Sequence, residues 1–268
     1  MQFDVTTERI LHAGTRLEFS LVPWDSEIFA FPVAQISAFE ASSLDAASNA
    51  LEAFERWRDH HEVRLASCRL RHEALKESML LEQRGFRFIE MVYRPRLSNL
   101  RATHFPAGDI NIERAEAGDL PSLTDVAGTA FRTGRYYLDW RLDPAMNDQR
   151  YRAWVRNSFA DPRHEVLKAM LQGELVGFFI VEKTPDRGCY WHLTAVAPGW
   201  QGRGIGKALW QAMLLRHRDE GLERVDTTIS AHNLPVLNLY AKLGFSFPHA
   251  DTTFHWLRGP GPAGSGDV

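Results

Sequence analysis

Residues 196–209 read VAPGWQGRGIGKAL and form the most informative stretch of the chain. This stretch follows a strand-like run over residues 189–196 and leads into a helix-like run over residues 207–216. Glycines at such a turn let an anion approach the backbone, and the first amides of a helix are unpaired at its positive end. The stretch therefore predicts a site for a phosphorylated ligand.

Two common phosphate loops do not fit this stretch. A Walker loop needs Ser or Thr after Gly-Lys, and Ala208 stands there instead. A dinucleotide fingerprint needs Gly-x-Gly-x-x-Gly, a spacing that the glycines at 202, 204 and 206 do not have. The remaining pattern is Gln-x-x-Gly-x-Gly, formed by Gln201, Gly204 and Gly206. A plain strand-to-helix turn is the alternative.

A second block, residues 233–245, reads NLPVLNLYAKLGF and follows a strand-like run over residues 224–229. The two blocks, in this order, resemble the GNAT superfamily of acetyl-CoA-dependent N-acetyltransferases. The resemblance implies an α/β fold with a mixed, mostly antiparallel central sheet flanked by helices. It also implies direct attack of a primary amine on the thioester of acetyl-CoA, without a covalent enzyme intermediate.

The resemblance assigns roles to individual residues. Tyr240 is the expected general acid for the leaving thiolate, and His192 is a candidate general base. A core tyrosine, a structural histidine and deprotonation through water are the alternatives, and Asn233 could simply cap its helix. Arg203 and Lys207 could add charge near the pyrophosphate. The expected donor-binding residues are Thr194, Ala195, Val196, Gln201, Gly202, Arg203, Gly204, Ile205, Gly206 and Asn233.

The motifs occupy only part of the chain. We expect an N-terminal αβ domain at residues 1–100, a linker at 101–109, a GNAT domain at 110–258 and a flexible tail at 259–268. Residues 80–88, LLEQRGFRF, parallel residues 239–247, LYAKLGFSF, with Leu81 at the position of Tyr240. No glycine loop precedes this first copy. It predicts a smaller, non-catalytic GNAT-like half-domain, and chance similarity is the alternative.

A looser resemblance concerns the acceptor. Residues 21–33, LVPWDSEIFAFPV, together with stretches at 130–139 and 151–158, are similar to the dTDP-4-amino-4,6-dideoxygalactose (dTDP-fucosamine) N-acetyltransferases. This implies a nucleotide-linked amino sugar as acceptor. Its expected contacts are Arg132, Arg135, Tyr136 and Tyr137, for which ordinary surface and packing roles are the alternative. Other functions left open are acetylation of a peptide or protein N-terminus or of a small amine, and a non-catalytic acyl-CoA-binding module.

Composition and charge limit the classes of partner that we expect. The net charge of −3 gives no basic field for nucleic acid. Two cysteines and the absence of a local Cys/His cluster predict neither a disulfide framework nor a metal. No signal peptide or membrane-length apolar run is evident, so we expect a cytoplasmic protein with no membrane partner. Acetyl-CoA is the expected co-substrate, and a homodimer is left open.

Overall fold

The computed structural model describes residues 5–259. It divides into two compact units, which we call the N-terminal unit (residues 5–91 and 251–259) and the glycine-loop unit (residues 92–250). The tail expected at 259–268 lies outside the described residues except for Gly259. No helix in the described range is long and apolar enough to cross a membrane.

The first part of the chain forms β1 Glu8–His12, β2 Thr15–Leu21, α1 Pro23–Phe29, β3 Val33–Glu40, α2 Leu44–His60, β4 Leu65–Arg71, α3 Leu75–Gln83 and β5 Arg87–Tyr93. The rest forms β6 Arg96–Leu97, β7 Asn111–Arg114, α4 Leu120–Ala130, α5 Arg135–Leu138, α6 Pro144–Ala160, β8 His164–Leu171, β9 Glu174–Lys183, β10 Gly188–Val196, α7 Ile205–Asp219, β11 Arg224–Thr227, β12 Ile229–Ser230, α8 Leu234–Lys242 and β13 Ala250–Leu257.

The sheet of the glycine-loop unit has the strand order β6-β11-β10-β9-β8-β7. Its neighbouring strands are antiparallel except for β10 and β11, which are parallel and are joined by α7. A parallel pair requires such a crossover connection, which is usually a helix. The expected mixed, mostly antiparallel sheet flanked by helices is confirmed.

Two apolar cores cover the faces of this sheet. One contains α7 and α8 residues around Trp191, Trp210 and Tyr240, all of which are nearly inaccessible to solvent. The other contains α4 and α6 residues packed on Phe178 and Ile180 of β9. Because β9 and β10 are covered on both faces, their sequences are rich in buried apolar residues. The sheet therefore holds the end of β10 rigidly beside the glycine loop.

The N-terminal unit has its own sheet, with strands in the order β1-β2-β3-β4-β13-β5. Here β3 and β4 are parallel and are joined by α2, which packs on the sheet through Leu51 and Phe54. β13 was expected in the GNAT domain, but it pairs antiparallel with β4, and its Phe254 completes this core. The C-terminal strand thus extends the N-terminal unit.

The expected linker at residues 101–109 also differs from the structure. Phe105 is 4% exposed and belongs to the core that contains Trp191 and Tyr240. Leu100, immediately before this segment, is fully buried in the same core. These residues therefore form part of the glycine-loop unit, because their apolar side chains complete its core.

Candidate active site

The two edges of β10 are paired over different lengths. On the β11 side, parallel pairing ends at Trp191, opposite Thr227. On the β9 side, antiparallel pairing continues to Val196, opposite Gly177. Within residues 5–259, segment 194–196 therefore has one edge without a strand partner, which we call the open edge of β10. Such an edge offers backbone hydrogen-bonding groups to an extended, amide-rich ligand.

Side chains along the open edge alternate between the two faces of the sheet, as strand geometry requires. Ala195 lies in the core under α4 and α6, where it is 4% exposed. Val196 packs against the opposite core, under α7 and α8. Thr194 is on this same side, where its hydroxyl lies beside the phenol of Tyr240. The open edge thus offers its backbone groups, while its side chains pack into the cores on the two faces of the sheet.

The glycine loop, residues 201–206, follows the open edge directly. Its Gly204 is the N-cap of α7, with a φ of 76° and no side-chain cap, and Gly202 has a φ of 74°. A Cβ at either position would meet no atom within 4 Å, so backbone conformation rather than space favours glycine. Among the described residues, the amides of Gly202 and Gly204 donate to no backbone carbonyl. They are available to an anion.

The start of α7 adds charge to this loop. Arg203 and Lys207 are exposed, and the Arg203 guanidinium lies 5.3 Å from the ring centroid of Trp200. Ile205 packs against the core as the first residue of the helix, while a Cβ on Gly206 would approach Leu239 at 3.7 Å. The helix is therefore fixed by its apolar side, and its charged side faces solvent beside the loop.

Tyr240 lies on α8 and is 1% exposed. Its ring centroid is 4.8 Å from that of Phe245 and 6.5 Å from that of Trp210. Burial raises the pKa of the phenol, and polar groups of Trp210, Thr194 and Thr227 offset part of this rise. The phenol is therefore protonated at neutral pH and lies next to the open edge of β10, where the expected acid is needed.

Two side chains expected at the donor site make local contacts. The Oδ1 atom of Asn233 accepts from the amide of Val236 at 3.4 Å, so Asn233 is the N-cap of α8. Its capping role does not exclude a contact with the donor, which stays a prediction. Nε2 of Gln201 donates to the carbonyl of Val196 at 3.0 Å and ties the glycine loop to the end of the open edge.

His192 lies at a β-bulge in β10, between the registers of Trp191 and Leu193. Its Nε2 atom is 2.7 Å from Oε2 of Glu182 on β9, and its side chain is 22% exposed. The ring is 4.6 Å from that of His164 on β8, on the sheet face that carries α6. Sequence reasoning missed Glu182, because cross-strand neighbours ten positions apart leave no local motif.

The four expected acceptor residues lie at and just before α5. Arg132 is exposed, and its Nη1 is 3.4 Å from the hydroxyl of half-buried Tyr137. Tyr136 does not fit the expected stacking role, because it is 2% exposed and lies between the guanidinium groups of Arg135 and Arg150, at 4.5 and 5.0 Å. The Arg135 guanidinium also donates to the Tyr136 hydroxyl at 2.9 Å. Tyr136 is therefore a packing residue.

Residues 132–245 match the model of the Acetyltransferase (GNAT) family. These matched residues belong to the GNAT family. The matched range includes the open edge of β10, the glycine loop and Tyr240. Since GNAT enzymes transfer an acetyl group from acetyl-CoA, the chain is an acyltransferase of the N-acetyltransferase type.

Two proteins similar in sequence to this chain have different names. The spore coat polysaccharide biosynthesis protein SpsD of Bacillus subtilis (strain 168) is 21% identical over 87% of this chain and 80% of its own length. A mycothiol acetyltransferase of Propionibacterium freudenreichii is 26% identical over 56% of this chain and 47% of its own length. The match to this second relative thus spans about half of that enzyme.

A solved structure shares the fold over nearly the whole chain. The GCN5-related N-acetyltransferase from Sphaerobacter thermophilus superposes with a TM-score of 0.67 at 17% identity, covering 91% of this chain and 78% of that one. The match extends beyond the residues 132–245 of the family model. The GNAT architecture found here is therefore shared with an independently solved protein.

Proposed function

We propose that this GNAT enzyme transfers the acetyl group of acetyl-CoA to the primary amine of a nucleotide-linked amino sugar. The open edge of β10 carries the proposal, because it lies between the glycine loop and the Tyr240 phenol. An extended thioester arm bound there would have a pyrophosphate site at one end and a proton donor at the other. The three features follow one another along the path that such a donor would take.

The donor is bound mainly through backbone groups. The pyrophosphate is placed on the amides of residues 201–206 at the positive end of α7, with Arg203 and Lys207 adding charge. The amides and carbonyls of segment 194–196 pair with the pantetheine arm as an added strand would. Asn233, at the start of α8, lies on the same side of the sheet as Tyr240 and contacts the donor there.

The reaction needs one proton acceptor and one proton donor. His192, held by Glu182, takes a proton from the amine, directly or through water, as the nitrogen attacks the thioester carbon. The C–N bond forms, the C–S bond breaks, and Tyr240 protonates the departing thiolate. His192 and Tyr240 lie on opposite faces of the sheet, so the amine approaches and the thiolate leaves on different sides of β10.

The acceptor assignment rests on charge next to α5. Arg132 is exposed and its guanidinium has planar donors that suit a diphosphate, while Tyr137 supplies a half-buried ring beside it. The name of the SpsD relative, a polysaccharide biosynthesis protein, supports an acceptor that carries a sugar. We place the reaction in the cytoplasm because acetyl-CoA is available there.

The mycothiol acetyltransferases support a second candidate, acetylation of a small amine that is not carried on a nucleotide. That activity would not require the Arg132 guanidinium as a phosphate contact. The presence of a buried, protonated Tyr240 beside the open edge disfavours a non-catalytic acyl-CoA-binding module.

The test is a free-thiol assay that follows CoA release from acetyl-CoA with a panel of amines. The panel contains dTDP-4-amino-4,6-dideoxyhexoses, short peptides, glucosamine and polyamines. We expect turnover with the nucleotide sugars, and a rise in their KM of about tenfold or more in Arg132→Ala, the loss of one charge-assisted contact. Arg114→Ala, an exposed arginine on β7, is the matched control. Turnover with free amines alone would replace the nucleotide-sugar proposal by the second candidate.

A further inference from the structure

Two histidines and a glutamate converge on the sheet face that carries α6. His164 on β8 is the direct cross-strand partner of Glu182 on β9, so both side chains project from the same face. The bulge in β10 brings His192 to the same place. One ligand atom from each of the three side chains lies within 4.8 Å of the other two. Three metal-binding side chains therefore share one spot on three adjacent strands.

The surroundings orient these groups as a metal site requires. Nδ1 of His164 lies 3.2 Å from the hydroxyl of Ser158, a residue on α6 that is 2% exposed. With that nitrogen held, Nε2 of His164 is left for an ion, and such outer contacts are typical of metal-binding histidines.

The site is also reachable from solvent. The side chains of His192 and Glu182 are 22% and 32% exposed, so an ion can enter without local unfolding. The nearby Arg163 guanidinium donates to both carboxylate oxygens of Asp161 at 3.0 and 2.6 Å. This ion pair offsets the positive charge of Arg163, which would otherwise repel a cation. No basic group in the described residues forms an ion pair with Glu182 other than His192.

We propose that His164, Glu182 and His192 bind one Zn²⁺ ion, with water in the fourth position. Two imidazoles and one carboxylate are a known three-ligand set for zinc that leaves one position open. Tetrahedral bonds of about 2.0–2.2 Å place ligand atoms roughly 3.3–3.6 Å apart. In the structure, Nε2 of His192 and Oε2 of Glu182 are 2.7 Å apart, and one ligand atom from each of the three side chains lies within 4.8 Å of the others. Zinc binding therefore replaces the hydrogen bond between His192 and Glu182 and requires small changes in side-chain torsion.

Zinc at this site regulates the enzyme, a consequence that rests on the proposed function. A His192 nitrogen bound to the ion no longer has a lone pair for the attacking amine. Glu182 is withdrawn from His192 by the same event, since its carboxylate becomes a ligand. Zinc occupancy therefore inhibits acetyl transfer, whereas binding itself does not depend on what the enzyme acetylates.

The binding test uses the full chain after treatment with a chelator. Zn²⁺ is titrated by calorimetry, and Co²⁺ is used as an absorbing probe of tetrahedral coordination. We expect one equivalent in the unmodified protein and in His249→Ala, an exposed histidine of the same unit. In His164→Phe, which keeps a ring beside His192, affinity should fall at least about 100-fold, because loss of an outer partner alone costs about 10–100-fold.

Two results would overturn the zinc site: no stoichiometric binding by the unmodified protein, or equal affinity in His164→Phe and His249→Ala. Thermal unfolding of each variant identifies any that fails to fold, and His164→Asn then replaces His164→Phe. The activity assay separates the site from the proposed function. Zinc that binds with the expected variant pattern and leaves CoA release unchanged would refute His192 as base and leave the zinc site in place.

Discussion

The two units share one succession of strand, helix, strand and helix, but they differ at the two positions in it where chemistry would occur. β3, α2 and β4 in the N-terminal unit, like β10, α7 and β11 in the glycine-loop unit, form a parallel strand pair joined by a helix. A short helix follows in each, α3 or α8. Each short helix is followed, two residues after its end, by a glycine of positive φ, 82° at Gly85 and 88° at Gly244.

Even the hydrogen bonds at these helix ends correspond. The amide of Phe86 donates to the carbonyl of Leu81 at 3.0 Å, and the amide of Phe245 donates to that of Tyr240 at 3.0 Å. Leu81 and Tyr240 are both almost completely buried. The two positions are therefore equivalent in backbone and packing, and the phenol is the part that only one of them has.

The helices that join the parallel strands, α2 and α7, differ in how their first turns are capped. The hydroxyl of Ser43 caps α2 by accepting from the amide of Ala46 at 3.2 Å, so this helix satisfies its own first turn. α7 begins at Gly204 with no side-chain cap. The N-terminal unit thus repeats this strand and helix arrangement with a capping serine and a leucine at the two positions. We propose that it neither binds the donor nor supplies an acid.

The largest expected effect is on catalysis, at Tyr240 rather than at the equivalent Leu81. Tyr240→Phe removes one oxygen and should lower kcat well over tenfold, within the roughly 10²–10⁴-fold of general acid catalysis, with acetyl-CoA affinity nearly unchanged. Steady-state kinetics and calorimetric binding measure the two effects. Tyr93→Phe is the control for loss of a tyrosine hydroxyl in the same unit. Equal losses in kcat and affinity would mean that Tyr240 is structural.

The equivalent position in the N-terminal unit should matter for stability. Leu81 is fully buried, so Leu81→Ala should lower the free energy of unfolding by about 2–5 kcal/mol. Urea unfolding measures this change. At a temperature where the variant is folded, its kcat and its affinity for acetyl-CoA should equal those of the unmodified protein. A selective loss of donor affinity would show that the N-terminal unit takes part in binding.

Gly204→Val tests the glycine loop. A β-branched residue at a φ of 76° is strained by about 1–3 kcal/mol, which favours other loop conformations over the binding one. The Kd for acetyl-CoA should therefore rise roughly 5-fold to 150-fold. Gly173→Val is the matched control, since Gly173 has a φ of 83° and equally open surroundings in the turn between β8 and β9. Unchanged affinity in Gly204→Val would refute the pyrophosphate assignment.

The smallest expected effect concerns the capped helix. Ser43→Ala should reduce stability by about 0.5–2 kcal/mol through loss of the N-cap, while Ser43→Asn, which keeps a capping oxygen, should cost much less. Thermal unfolding distinguishes the two variants. Neither change should alter the Kd for acetyl-CoA. Tighter binding in Ser43→Ala would indicate that the first turn of α2 is itself a donor site.

Local sequence patterns predicted much of this enzyme. The strand, glycine loop and helix at residues 189–216 are contiguous in sequence, as are α8 and the Gly244 that follows it. Their backbone requirements are therefore visible in the sequence. These patterns predicted the family and the mixed sheet, both of which are confirmed. The pairing limit at Trp191 and Thr227 that creates the open edge depends on where β11 ends, which no local pattern specifies.

Longer-range features escaped prediction for the same reason. β13 follows the GNAT motifs directly in sequence, yet its Phe254 fills a core built by residues far earlier in the chain. Tyr136 sits in a stretch of charged and aromatic residues typical of a surface, but two arginines cover its ring. His164 and Glu182 meet only through strand register. Such positions are decided by tertiary packing rather than by spacing.

The most direct test of the central claim, that only the glycine-loop unit binds the donor, is amide hydrogen exchange of the full chain with and without CoA. Bound CoA should slow exchange in peptides that cover residues 194–207, where free amides of the open edge and glycine loop become bonded. Peptides that cover residues 41–47, at the start of α2, should be unchanged. Protection at 41–47, or none at 194–207, would contradict the account.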